Sequence, residues 1–279
     1  MAASTVTTLA GLQESIVTDS TALFRLTSAL VNSVYNQEAQ SANTVNFSSR
    51  AVPSAVSAAH TEDADVDVST VTVDQVQGTM GSWPILARTS KIALAAPNAG
   101  LKVAEAIAGG LARTVDTQIS YLCSGFNSDS AVTDGSANIS VSKFFDTAAE
   151  LDATGYIGQK VCIMHPVSWS RVGQDLLALT AGAENKAGAF MNTGYVGNIA
   201  GVEIFVSPWV QSENNGSNTF YLNGMFFKEA LGFGYRNPLI EIDSNFNLNK
   251  IAVETLGVAT FCVKELTDGA GLRFLDKTT

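Results

Sequence analysis

Two histidines, three cysteines and one run of alternating aspartates are the side chains whose types and spacing could do chemistry here. With only His60 and His165 available, a histidine-based metal cluster is excluded. A catalytic triad would have to use one of the two, but no G-x-S-x-G nucleophile elbow is present, which leaves a hydrolase or other enzyme with an unfamiliar site at His165 and Asp175. Placed before Pro166 at the end of an apolar run, His165 reads instead as a strand-capping residue satisfied by backbone. Asp63, Asp65 and Asp67, with Asp74 at the twelfth position, match the spacing of a calcium loop. The glycine such a loop needs at its sixth position is Val68. Alternate residues share one face of a strand, so an acidic edge, solvated or facing another subunit, is expected before a bound cation. Gly182 to Lys186 lacks the spacing of a phosphate-binding loop, and Gly232-Phe-Gly234 lacks the third glycine of a dinucleotide fingerprint. Cys123, Cys162 and Cys262 are far apart, odd in number and set among apolar neighbours, the pattern of buried reduced thiols. The expectation is a protein without cofactor, metal or catalytic centre.

The net charge of −10 and a sequence pI near 4.6 argue against binding nucleic acid through a basic face. The sixteen Lys and Arg are scattered singly, so DNA nearby would be enclosed rather than gripped. The apolar runs 85–87 and 92–96 are broken by Arg88 and Lys91, far short of the roughly 20 residues that cross a bilayer. The first residues lack the basic start and apolar stretch of a signal peptide.

The elements that must carry these residues begin with Leu23, Leu26, Leu30 and Val34, which predict a short amphipathic helix capped within 18–20. From Ser41 to Ser82 the chain has eight valines and twelve Ser or Thr, but Phe47 and Met80 are its only larger apolar residues and Arg50 its only base. Val66 and Val68, then Val71 and Val73, alternate as in a strand with a bulge between the pairs. Strand-patterned sequence this polar cannot bury enough of itself to offset the entropy of ordering, so it is expected to be either disordered or stabilised by neighbouring subunits. A long helix is predicted over 98–124, with Gly109-Gly110 marking a kink or a close contact. Further helices are expected over 140–151 and 169–179, and strands over 161–164, 202–206, 239–242, 251–256 and 258–263. Asn223-Gly224 reads as a hairpin turn between strands 220–222 and 225–227. Mixed helices and late strands predict an α+β fold.

A polar β excursion, Trp83-Pro84 and Arg88 returning from it, a long helix and an α+β body follow one another in an order that resembles the major capsid proteins of tailed bacteriophages with the HK97-type fold. The stretch Gly194-Tyr-Val-Gly-Asn-Ile-Ala-Gly-Val-Glu-Ile-Phe-Val-Ser-Pro208 is similar to that family's turn, glycine and strand before its axial loops, and 251–264 followed by Leu272-Arg-Phe274 is similar to its closing strands. The resemblance implies an N-terminal arm (1–43), an extended E-loop hairpin (44–92), a peripheral domain with a spine helix (93–139), an axial domain (140–238) and closing strands (239–279). It further implies self-assembly into hexamers and pentamers of an icosahedral head around double-stranded DNA, with no membrane. Assembly would occur in a host cytoplasm, with separate scaffolding, portal and cement proteins as partners. Asp63, Asp65, Asp67, Arg50, Trp83 and Arg88 would then be candidates for subunit contacts. An encapsulin-like nanocompartment shell is the alternative that shares the fold, and an enzyme using His165 is a weaker one.

Overall fold

The computed structural model describes residues 28–39, 43–48, 75–90, 99–128, 138–179, 195–214, 216, 218–247 and 251–278. In chain order the elements are β1 (Tyr35–Glu38), β2 (Thr44–Ser48), β3 (Gln75–Thr79), β4 (Gly81–Ser90), α1 (Ala99–Leu122), β5 (Asn127–Ser128), α2 (Val141–Ala153), β6 (Lys160–Met164) and α3 (Pro166–Leu179). They continue with β7 (Tyr195–Ile199), β8 (Val202–Val206), β9 (Ser212–Asn214), β10 (Thr219–Phe227), β11 (Leu231–Asn247), β12 (Ala252–Glu265) and β13 (Gly271–Lys277). The mixture is α+β, as the pattern of the sequence predicts.

Two sheets organise the body. One has the order β1-β11-β12-β4, with β1 parallel to β11 and the other pairings antiparallel. The other runs β5-β13-β10-β6-β8-β7, with β9 also pairing β10. Two short passages join them: a one-turn helix, Lys228–Ala230, leads from β10 into β11, and residues 266–270 lead from β12 into β13. The passages are bonded to each other, since Leu266 N–H donates to Ala230 O at 2.8 Å.

Helix α1 forms because Ala104, Ile107, Ala108, Leu111, Ala112, Val115 and Ile119 recur on one face, all buried. That face lies on β4, β12 and β10, so the helix touches both sheets. Gly110 is a close contact: a Cβ there would lie 2.4 Å from Ile85 Cδ1 of β4. Ile85 faces the helix because β4 alternates strictly, Trp83, Ile85 and Ala87 inward and Pro84, Leu86 and Arg88 outward. In α2, Ser140 is the cap, its Oγ accepting from Lys143 N–H at 3.4 Å. Phe145 of that helix is 41% exposed, as is Leu101 of α1.

The predicted N-terminal helix does not reach Val34. Leu30 and Val34 flank one turn, Val31–Ser33, and the chain then enters β1. Both side chains are buried, so their spacing reports a common core rather than a helical face. Leu23, Leu26 and the cap at 18–20, like Val66 to Val73, lie outside the described residues.

Nor does Asn223-Gly224 turn the chain. Both residues sit inside β10, which pairs β13 and β6 without interruption. Tertiary fit overrides the local turn preference. A Cβ at Gly224 would stand 2.7 Å from Cys123 Sγ at the end of α1, and the buried Asn223 amide has bonds inside the core. The strands expected at 251–256 and 258–263 are likewise one, β12, because Gly257 makes room for Ile107 instead of breaking it. The strand expected at 239–242 belongs to the 17-residue β11, where 236–239 stand opposite Thr260 alone and form a bulge. The stretch 194–208 holds the hairpin β7–β8, turned by Ala200 and Gly201 at φ of 54° and 76°. Positive φ at both central residues is the geometry a two-residue hairpin needs.

Candidate assembly surfaces

The two ends of the polar segment are anchored in their own chain. β2 and β3 pair as an antiparallel ribbon whose inner side chains, Val45 and Phe47, are fully buried with Cys262 and Leu266. Phe47 fits because Gly232 and Gly234 of β11 have no side chains: a Cβ at Gly232 would lie 2.8 Å from its ring, and one at Gly234 3.2 Å. The pair Gly232-Phe-Gly234 is therefore a slot for an aromatic ring, not a truncated nucleotide motif. Successive residues of β12 point to opposite faces. Gly257 and Phe261 face α1, so Cys262, and with it the β2–β3 ribbon, lies on the other side of the sheet.

Of the residues singled out for subunit contacts, Trp83 and Arg88 lie in β4, and Arg50, Asp63, Asp65 and Asp67 fall outside the described residues. The Trp83 ring stacks on Phe261, centroids 5.4 Å apart. Arg88, half-exposed, reaches across to β12, its guanidinium 2.8 Å from Glu254 Oε1. On that same outer face Leu86 and Leu256 are cross-strand neighbours, 56% and 36% exposed.

Two buried carboxylates, which the sequence reading did not single out, tie the body together. Asp116 of α1 accepts four hydrogen bonds: Ser28 Oγ–H at 2.9 Å and Leu30 N–H at 3.2 Å on Oδ1, Ala29 N–H at 3.3 Å and Ser207 Oγ–H at 2.9 Å on Oδ2. Burial pushes this carboxyl above its ordinary value, and the hydrogen bonds, that from Ser28 foremost, pull it back. The signal was legible: Asp116 lies four residues after Ala112 and three before Ile119, inside the apolar stripe of the helix. Asp276 of β13 is as deeply buried and accepts from Ile139 N–H at 2.9 Å, Ser168 Oγ–H at 2.6 Å and the Arg171 guanidinium at 2.7 Å. Arg171 also donates to Lys277 O.

His165, Ser168 and Asp276 thus come together, but not as a nucleophile with its base. Ser168 Oγ donates to the carboxylate and accepts from Asn223 Nδ2 at 3.2 Å, while His165 Nδ1 accepts Val167 N–H at 3.2 Å. The imidazole is therefore the cap of α3, stacked on Tyr221 at 3.7 Å. Burial lowers its pKa, against a smaller opposite pull from Asp276. Asp175, the other member of the hydrolase pair, accepts from Val141 N–H at the start of α2. The three cysteines are free and buried, and burial pushes the Cys123 thiol up to about 12 and the other two upward as well. Among the described residues no three His, Cys, Asp or Glu converge as a metal site, and no helix is long and apolar enough to cross a membrane.

No protein-family model and no curated protein sequence matches this chain. Solved structures do match, at low identity. The capsid of Ralstonia phage GP4 aligns over 88% of this chain and 87% of its own, with a TM-score of 0.62 and 8% identity. The capsid of cyanophage P-SCSP1u aligns over 90% and 88%, TM-score 0.57, at 13% identity. A virus-like particle from Pyrococcus furiosus aligns over 95% and 97%, TM-score 0.57, at 10% identity. The likeness spans almost all of each of these chains, and this chain has the HK97-type capsid fold.

Proposed function

We propose that this chain is the major capsid protein of a tailed bacteriophage, a structural protein that assembles into hexamers and pentamers of an icosahedral head enclosing double-stranded DNA. The observation that carries the reading is the likeness to phage capsid chains over almost all of both partners. Residues 1–43 act as an N-terminal arm, 44–92 as the E-loop, 93–139 as peripheral domain and spine helix, 140–238 as axial domain and 239–279 as closing strands. The ribbon supports the second assignment, because β2 and β3, which flank residues 49–74 in the sequence, pair with each other and pack Val45 and Phe47 against Cys262 and Leu266. Arg50, Asp63, Asp65, Asp67, Trp83 and Arg88 contribute to subunit contacts. The excess of acid keeps the wall from gripping packaged DNA. The protein is not an enzyme: His165, the histidine among the described residues, is engaged as a helix cap. Assembly takes place in a host cytoplasm, with separate scaffolding, portal and cement proteins.

Electron microscopy of the purified chain tests this. Closed shells, or rings with sixfold and fivefold symmetry, are expected; a stable monomer at high concentration overturns the reading. Deleting residues 51–74 leaves β2 and β3 intact, so the body should fold by circular dichroism while shells fail to form. Normal shells from the deleted chain would refute the E-loop assignment. A second reading, an encapsulin-like nanocompartment shell, draws on the likeness to a virus-like particle whose source, Pyrococcus furiosus, is a cell rather than a phage. Particles isolated from the native source separate the two, by holding DNA or a protein cargo.

A further inference from the structure

Residues 207–211 leave β8 and run along the side of α1, fixed there at two points. Ser207 Oγ–H donates to the buried Asp116 carboxylate at 2.9 Å, and Ser120 Oγ, also buried, accepts Gln211 N–H at 3.3 Å. Between these points Trp209 is turned outward, 38% exposed. The Arg113 guanidinium lies over its ring, the central carbon 4.3 Å from the centroid. Helix and loop thereby wall an open cleft of about 450 Å³, held in place by buried hydrogen bonds.

The chemistry of this cleft is one-sided. Among the described residues Arg113 is its sole charged lining, and Thr117, Gln118, Gln211 and Ser212 add hydroxyls and amides. None of these five side chains hydrogen-bonds a described residue. A guanidinium stacked on an aromatic ring uses its face and keeps its N–H groups, at the edge, for an acceptor. Arg113 and Thr117 stand one turn apart on the helix, so the guanidinium and a free hydroxyl are neighbours. The acids nearest in the chain stay out: Asp116 holds four donors in the core, and neither Glu105 nor Glu213 lines the cleft.

The cation calls for an anion, and the remaining lining says which kind. A carboxylate or an inorganic anion would be satisfied by the Arg113 fork and a hydroxyl. It would make no use of an exposed indole, nor of two amides that accept as well as donate. A nucleotide uses all of them: its phosphate meets the guanidinium and the Thr117 hydroxyl, its base lies against the indole–guanidinium stack, and the base edge faces Gln118 and Gln211. A single cation makes this a point contact, compatible with a net charge of −10 that argues against a basic face.

We propose that the Arg113–Trp209 cleft binds one nucleotide unit, phosphate at Arg113 and base at Trp209, either as a free nucleotide or within a nucleic-acid strand. The site does not depend on the shell reading.

Trp209 is the most exposed of the three tryptophans, so the tryptophan emission of the full chain is the first readout. The probes are sodium phosphate, dAMP, a short single-stranded oligonucleotide, the same sequence as a duplex, and an oligoglutamate peptide. The nucleotide and the single strand should act at concentrations at least tenfold lower than phosphate, whereas the duplex, its bases stacked away, should act no better than phosphate. A strand that binds at least tenfold tighter than dAMP identifies nucleic acid as the source, and equal binding identifies the free nucleotide; either supports the site. Phosphate as effective as dAMP, oligoglutamate tighter than both, or no response to any nucleotide probe would each overturn it. Arg113→Ala should weaken dAMP binding at least tenfold, and Arg113→Lys, which keeps the charge but loses the fork, by less. Gln118→Ala with Gln211→Ala should bring dAMP down to the level of phosphate. Trp209→Leu removes the reporter, so equilibrium dialysis measures it and should show a comparable loss. These side chains are exposed or half-buried, and the variants should melt with the parent; Arg113→Lys carries the test if Arg113→Ala does not. Undiminished binding by Trp209→Leu and by the folded Arg113 variants would overturn the assignment. Affinity for the strand should fall with salt on a log–log slope of about −0.7, the value for one neutralised phosphate, and a slope several times steeper would contradict a point contact.

Discussion

Replacing Asp116 by alanine removes the acceptor of four buried donors at once. The Ser28 and Ser207 hydroxyls can rotate toward other partners, but the Ala29 and Leu30 amides are fixed by the backbone. Leaving two buried N–H groups unsatisfied costs about 1–3 kcal/mol each, roughly 2–6 kcal/mol together. The chain has one way to limit this: residues 28–34 can leave α1 and hydrate the amides, at the cost of exposing Leu30 and Val34. That release costs about 1.5–3 kcal/mol per side chain, the same range, so a loss of about 3–5 kcal/mol is expected. Asp116→Asn keeps one oxygen facing Ser28 and Leu30 and should lose about half as much. Urea unfolding measures the totals, and hydrogen exchange at Ala29 and Leu30 separates local release from global destabilisation. The pH dependence has a definite sign. Burial raises the folded-state carboxyl, so its contribution is complete below the ordinary value near 4 and is lost as pH rises through the raised one. The advantage of the parent chain over Asp116→Asn should therefore shrink as pH rises across that window. Unchanged stability of Asp116→Ala, within about 0.5 kcal/mol, together with unchanged protection of both amides would refute the reasoning.

Gly224→Ala drives a methyl into Cys123 and should destabilise by about 1–3 kcal/mol, with Cys123→Ala in the same chain restoring most of it in denaturant melts. Phe47→Ala empties the slot over Gly232 and Gly234 and should cost about 3–5 kcal/mol, read as early proteolysis between β2 and β3. His165 has a folded pKa below the ordinary value, so its stabilisation is present above about 6.5 and is lost as pH falls through the lowered one. His165→Asn keeps an acceptor for Val167 N–H without titrating, and the acid sensitivity of the melting temperature should flatten in that variant; an unchanged profile would remove His165 as its source.

Elements whose signal is local were legible in the sequence. The stripe of α1, the Ser140 cap and the apolar run of β6 each carry their own period or cap, and the structure holds all three. Asn223-Gly224 misled because glycine there answers a demand for space, from Cys123 a hundred residues away, rather than for a turn. Gly232 and Gly234 are a similar case, serving Phe47 from across the chain. Leu30 and Val34 kept helical spacing while joining a core through a single turn and a strand. Capsid-like order was readable because it is a sequence of parts, whereas the stacking of the Arg113 guanidinium on Trp209, 4.3 Å from the ring centre, is not, since the two meet only in three dimensions.

The two bonded passages between the sheets, 228–230 and 266–270, are also a mechanical joint. Side by side and hydrogen-bonded, they act as paired straps, which yield to folding along their common line and resist shear across it. Helix α1 spans that line, gripping β4 and β12 on one side and β10 on the other, and so works as a splint. Load applied at the far end of the β11–β12 ribbon must therefore travel through the helix before it can open the joint. The seats of Ile107 over Gly257 and of Cys123 over Gly224 are the two teeth that keep the splint from sliding.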